Sequence, residues 1–250
     1  MFFPDSNSSV KLGRSVLKDV YYFGESPMLD CNQFIINDKS TGELALFDSG
    51  NGVSLKGLFE GMNNLGLDYR KITKVLLTHE HVDHVLGLYP LIKALKSNPP
   101  KLYAYGETAK ILREGDESKI FPGNLGISPK MFNLEIIPLD IVDLKLDELI
   151  RIGSNFTLKV FHTPGHSHGS VCYYEETKKI LIPGDLVFTG GSFGRYDFPG
   201  GSLDALINSI KFVNELDVKY LLPGHMNISD NGNQQVDYSY KMVQSMKSFF

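Results

Sequence analysis

The 250-residue chain has no tryptophan and only two cysteines. That excludes a small disulfide scaffold. Cys31 and Cys172 have no CxxC spacing and lie in apolar, strand-like surroundings, so both read as buried free thiols of a reducing compartment. No apolar run approaches the ~18 residues a membrane span needs, and no basic segment precedes an apolar one near Met1. The expected location is therefore the cytoplasm, away from a membrane. Positive charge is scarce as well: 25 Lys and Arg against 29 Asp and Glu leave a net charge of −4. Such a chain has no basic excess to draw in nucleic acid, and a small-molecule substrate is the expected partner. With 42% apolar and 22% charged residues it can bury one full core, which predicts a single domain over residues 1–250. Nothing in the sequence fixes an oligomeric state.

What the chain does have is clustered histidine. The seven histidines fall at three places: His79, His81 and His84; His162, His166 and His168; and His225. Around them, strand-like runs are predicted over 20–23, 34–37, 44–48, 72–77, 102–105, 135–138, 156–162, 170–174, 179–182 and 220–222, with a hairpin turn at 39–42. Helical periodicity predicts helices over 53–65, 85–95, 108–113, 203–216 and 235–250. Residues 115–130, which include Pro122, Gly123, Gly126 and Pro129, predict a long loop of the kind that covers a site. Strands followed by helices in both halves predict an α/β fold, two sheets face to face with helices outside.

Five apolar runs end at a polar side chain: Asp48, His79, His166, Asp185 and His225. The last three share Pro-Gly immediately before the polar residue. That dipeptide ends a strand in a tight turn and fixes the residue at a carboxyl end, where α/β folds gather active sites.

The densest stretch is His79-Glu80-His81-Val82-Asp83-His84, a pattern this composition would give by chance roughly 4 times in 10,000. In an extended segment, residues two apart point the same way. His79 and His81 are thus expected to grip one cation, and Asp83 and His84, at a helix start, a second. His166 completes the first set, His225 the second, and the Asp185 carboxylate bridges both, with the ions about 3.5–4 Å apart. The expected cofactors are two divalent metal ions. Imidazole and carboxylate suit zinc, iron or manganese, with zinc preferred. Asp83 is also the candidate catalytic group, orienting a shared hydroxide or taking its proton. Asp48 is expected to accept the free ring N–H of a ligand histidine. Of the rest, His162 is expected to be packed and hydrogen-bonded, His168 to line the pocket mouth or bond its loop, and Glu80 to face away.

In order and spacing these residues resemble the five motifs of the metallo-β-lactamase superfamily: Asp48, His79 to His84, His166 in Thr-Pro-Gly-His, Asp185 in Pro-Gly-Asp, and His225 in Pro-Gly-His. The resemblance spans nearly the whole chain. It implies an αββα sandwich of two mixed sheets, with a dinuclear site at one edge. Pro183 to Phe188, followed by Gly190 to Gly201, is similar to the glyoxalase II group of hydroxyacylglutathione hydrolases and their short relatives. This implies hydrolysis of a small thioester or related ester by a metal-bridged hydroxide, with Arg195 and Tyr196 as candidate substrate-loop residues. Arg195 has an equal structural reading, an ion pair with Asp197. The helical C-terminal domain with which longer glyoxalase II enzymes bind glutathione is not expected in the 25 residues after His225. Two alternatives follow from the same residues. One is a persulfide dioxygenase-like oxidoreductase with a single iron on His79, His166 and Asp185; the other is a lactonase or phosphodiesterase on the same fold.

Overall fold

The computed structural model describes residues 10–121, 126–146 and 148–247. One sheet runs in chain order through β1 (Gly13–Leu17), β2 (Val20–Phe23), β3 (Gln33–Asp38), β4 (Glu43–Phe47), β5 (Ile72–Leu76), β6 (Lys101–Ala104) and β7 (Ile141–Asp143). Its pairs are antiparallel as far as β4 and parallel from β4 to β7. Parallel neighbours need crossovers. These are α1 (Leu55–Asn64), then α2 (Val82–Val85) with α3 (Leu88–Ala94), then α4 (Gly106–Glu114) with α5 (Glu117–Ile120). The second sheet consists of β8 (Leu149–Ile152), β9 (Phe156–His162), β10 (Val171–Glu175) and β11 (Ile180–Ile182), all antiparallel. After α6 (Leu203–Asn214), β12 (Tyr220–Leu221) adds in parallel to β11, and α7 (Gly232–Lys247) follows.

Strand periodicity builds four layers from this order. Phe34 and Ile36 on β3, Ala45 and Phe47 on β4, and Tyr173 on β10 meet between the sheets. Their neighbours Ile35, Leu44 and Leu46 face the other way, onto Leu58 and Met62 of α1 and Leu88 and Leu91 of α3. On the far side Cys172, Tyr174 and Leu181 pack on Leu206, Ile210 and Val213 of α6 and Val236 and Val243 of α7. Each such aliphatic or aromatic side chain contributes about 1.5–3 kcal/mol when fully buried. The result is helix, sheet, sheet, helix, with both sheets mixed. The sheets are stitched together at one edge, where Val171 N donates to Thr78 O at 2.9 Å and Tyr173 Oη to Leu77 O at 2.7 Å.

Several elements differ from expectation. Residues 135–138 pair with no strand, and the sheet takes 141–143 instead. Strands β1 and β8 arise in segments for which no strand was predicted. The helix expected over 85–95 is two pieces, starts at Val82 and breaks around Gly87. There the backbone lies so close to Ser49 that a Cβ would come within 1.8 Å of its carbonyl oxygen. Part of the predicted 115–130 loop is helix α5. Residues 122–125, like 248–250 of the predicted terminal helix, lie outside the described residues.

Candidate metal centre

Both sheets deliver side chains to the stitched edge. Asp48 follows β4, His79 follows β5, and His81 caps α2, whose first turn carries Asp83 and His84. His166 sits in the turn from β9 to β10, Asp185 follows β11 and His225 follows β12. Two backbone features make this convergence possible. Asp48 has φ +53°, a left-handed conformation that short polar side chains tolerate better than others. Gly224 passes so close to the cluster that a Cβ there would lie 2.2 Å from Asp185 Oδ1.

The structure brings together all seven residues singled out as ligands. Ligand atoms of His79, His81 and His166 lie within 4.8 Å of one another, as do those of Asp83, His84 and His225. Asp185 stands between the two sets. Its Oδ2 is 3.6 Å from His166 Nε2 and 3.3 Å from His225 Nε2, and its Oδ1 is 3.3 Å from His84 Nε2. Asp83 Oδ2 lies 3.1 Å from His225 Nε2 and 3.8 Å from His84 Nε2.

The outward-facing ring nitrogens are held by the protein. His84 Nδ1 is 2.9 Å from Asp48 Oδ2, which also accepts from Thr78 Oγ1, while Asp48 Oδ1 accepts from Thr78 N. His79 Nδ1 meets Thr78 Oγ1 at 3.0 Å, so Asp48 braces two of the histidines. His166 Nδ1 donates to Arg195 O at 2.6 Å. His225 Nδ1 is 2.7 Å from Glu25 Oε2, and Glu25 Oε1 accepts from Met226 N. Partners of this kind fix ring tautomer and orientation. Glu25 was missed in the sequence: it lies in an irregular segment 200 positions from His225, and no spacing or motif marks it.

These contacts fit cations. With Nδ1 committed to Arg195, His166 Nε2 presents a lone pair, yet it lies 2.8 Å from His81 Nδ1 and 3.2 Å from His79 Nε2. Burial lowers all three of these imidazoles, His81 and His166 to about 4, so they are neutral donors at pH 7. In the other half, burial opposes charge on His84, but Cys31, Asp185, Asp48 and Asp83 raise its pKa well above the imidazole norm. His225 is raised likewise, against its burial, by Asp185, Asp83 and Glu25. That half demands positive charge, and buried His84 Nε2 and Asp185 Oδ1 have no hydrogen-bond partner among the described residues. Three converging lone pairs beside a carboxylate-rich pocket suit divalent metal ions.

The remaining candidates are placed differently. His162 ends β9 at the surface and is exposed, yet its ring lies 4.9 Å from that of Tyr105 and its Nε2 meets His168 O at 2.9 Å, so it is hydrogen-bonded and packed on one face as expected. His168 is exposed beside Gly200. Glu80 turns away from the cluster and is buried, accepting from Thr108 Oγ1 and Ser167 Oγ. Arg195 forms a two-pronged pair with Asp197 and lies over the Phe198 ring. Tyr196, the other candidate of this loop, is partly buried against the layer of α6 and α7. Both cysteines are free and buried.

Above the cluster opens a cleft of about 460 Å³, walled by Leu29, Val82, Phe188, Phe193, Phe198 and Met226, with Asp83, Asp185 and His225 at its base. Among the described residues no helix is long and apolar enough to cross a membrane.

A model of the metallo-beta-lactamase superfamily matches residues 27–225. A probable metallo-hydrolase of Methanocaldococcus jannaschii is 32% identical over 206 residues, 80% of this chain and 89% of that protein. The hydroxyacylglutathione hydrolase GloC of Haemophilus influenzae is 29% identical over 163 residues, 64% of this chain and 69% of that one. Among solved structures, TTHA1623 in a di-iron-bound form superposes with a TM-score of 0.66 at 28% identity, covering 84% of this chain and 94% of that one.

Proposed function

The chain belongs to the metallo-beta-lactamase superfamily as a metallo-hydrolase, and from that premise we propose that it hydrolyses a small thioester or related ester in the manner of glyoxalase II. The observation that carries the proposal is the Asp185 carboxylate, with one oxygen toward His84 and the other toward His166 and His225. His79, His81 and His166 would hold one divalent cation, Asp83, His84 and His225 a second, and Asp185 both. Zinc is the preferred metal. Bound cations supply Lewis acidity, which makes water a nucleophile near neutral pH and draws charge from an acyl oxygen.

The chain's own groups do the rest. Asp83 lines the cleft, where its carboxylate would orient the attacking water and take its proton. Asp48 and Glu25 keep the rings of His84 and His225 aimed inward, and the apolar wall keeps bulk water off the reacting carbon. Support for an acyl substrate comes from the similarity to GloC, a hydroxyacylglutathione hydrolase by name. We read residues 1–250 as one domain and the cytoplasm as its place of work. The test is a panel of thioesters, lactones and phosphodiesters given to the metal-loaded protein. Thioesters should turn over fastest, and hydrolysis confined to phosphodiesters would overturn the reading.

A further inference from the structure

The walls of the cleft carry information about the substrate that the metal ligands do not. Leu29 and Met226 border it although they are 45% and 46% exposed. Both have left-handed backbones, with φ +55° and +65°. A bulky side chain pays for that conformation, and such strain persists where surrounding bonds over-determine it, characteristically at ligand sites.

Here the bonds are visible. Met226 N donates to Glu25 Oε1, and Met226 O accepts from Asn32 Nδ2 at 2.8 Å. Leu29 is flanked by Met28, whose carbonyl accepts from Asn51 Nδ2, and by Asp30, which forms a buried ion pair with Lys11 at 2.6 Å. The protein thus holds two apolar side chains at the open rim of a polar cluster, continuous with Phe188 and Phe193.

The charge distribution points the same way. No lysine lines the cleft among the described residues, and its arginine, Arg195, is engaged by Asp197 at 2.6 Å and 2.9 Å. Its base, with Asp83, Asp185 and His225, is the part given to the two cations. Beyond the metal ligands, an anionic carrier finds no unpaired Lys or Arg in the lining among the described residues, whereas a hydrocarbon chain finds Leu29, Phe188, Phe193 and Met226.

We propose that the cleft is an acyl-chain site: the substrate's acyl group is an unbranched apolar chain lying between Leu29, Met226, Phe188 and Phe193, and the thiol half projects out of the cleft. This rests on the hydrolase reading above and names its substrate class. Leu29 and Met226 are then specificity-determining residues.

The test uses the metal-loaded full chain and N-acetylcysteamine thioesters of acetic, butyric, hexanoic and octanoic acids, with the matching alkyl thioethers as inert ligands. kcat/KM and thioether affinity should both rise about two- to fourfold per added methylene, and Leu29→Ser and Met226→Ser should flatten both slopes. A flat series in the unmodified protein overturns the acyl site, as does a dependence on the thiol at constant acyl group. A flat series in which Leu29→Ser alters the oligomeric mass assigns the rim to contact between copies, also against the proposal. Thioethers that bind in chain-length order without any thioester turnover would overturn hydrolysis and leave the acyl site standing.

Discussion

The two edges of the sandwich use buried carboxylates in opposite ways. At the edge away from the candidate metal centre, Asp38 closes β3 and is fully buried, and it accepts from Ser40 N, Ser154 N, Asn155 N and Asn155 Nδ2. Hydrogen bonds from Ser40 first, and then from Asn155, outweigh burial and hold its carboxyl well below the usual range. At the other edge Asp185 is buried with one oxygen lacking a hydrogen-bond partner among the described residues, and it faces histidine nitrogens. A satisfied carboxylate ties the sheets together; one set among histidine nitrogens fits a cation. The difference separates structure from chemistry in residues of one type.

The largest effect that sharpens this contrast is expected from Asp185→Asn. Turnover should fall at least about 1000-fold with the far-ultraviolet circular dichroism unchanged. Retained activity would mean that Asp185 is no more than another buried acid. Asp38→Ala should do the reverse. Losing several hydrogen bonds to a buried carboxylate costs about 2–3 kcal/mol, readable as a lower urea midpoint, while kcat of the folded protein stays the same. Next in size is Glu25→Gln. Loss of an outer partner of this kind weakens metal binding about 10- to 100-fold, and competition against a chelator should show the loss for one of two cations only. Equal weakening of both would detach Glu25 from His225.

The smallest effect compares the two halves of the centre itself. His81 and His166 fold with pKa values near 4, below the ordinary imidazole value of 6.5. Their unfolded forms therefore bind protons more readily, and the stability they contribute is present above pH 6.5 and lost as pH falls toward 4. His84 and His225 fold with raised values, so their contribution is complete below pH 6.5 and lost as pH rises through those values. Chelator-treated protein should accordingly show a Tm maximum near pH 6.5 with a decline on both sides. A Tm that only rises toward alkaline pH would contradict the charge demand assigned to the carboxylate-rich half.

The core strands were legible because β3, β4 and β10 are buried runs of apolar residues. Strands β7 and β8 were not: they are short, and β8 alternates exposed Leu149 and Arg151 with buried Ile150 and Ile152. Residues 135–138 carry the apolar composition of a strand without a partner to pair with, and composition cannot supply the partner. The split around Gly87 depends on contact with Ser49, 38 positions earlier and on another element. The candidate ligands stood out because each follows a strand end or shares one short motif. Glu25, the Lys11–Asp30 pair and the strained rim residues did not, because each acts through a partner distant in sequence or through a backbone angle that leaves no local signature.

A centre of two cations used for hydrolysis stands or falls on the metal content per chain, measured by elemental analysis of protein prepared without added metal. Two divalent ions per chain are expected, falling toward one in Glu25→Gln. A single iron per chain, unchanged in that variant, would contradict it and favour oxygen chemistry on His79, His166 and Asp185.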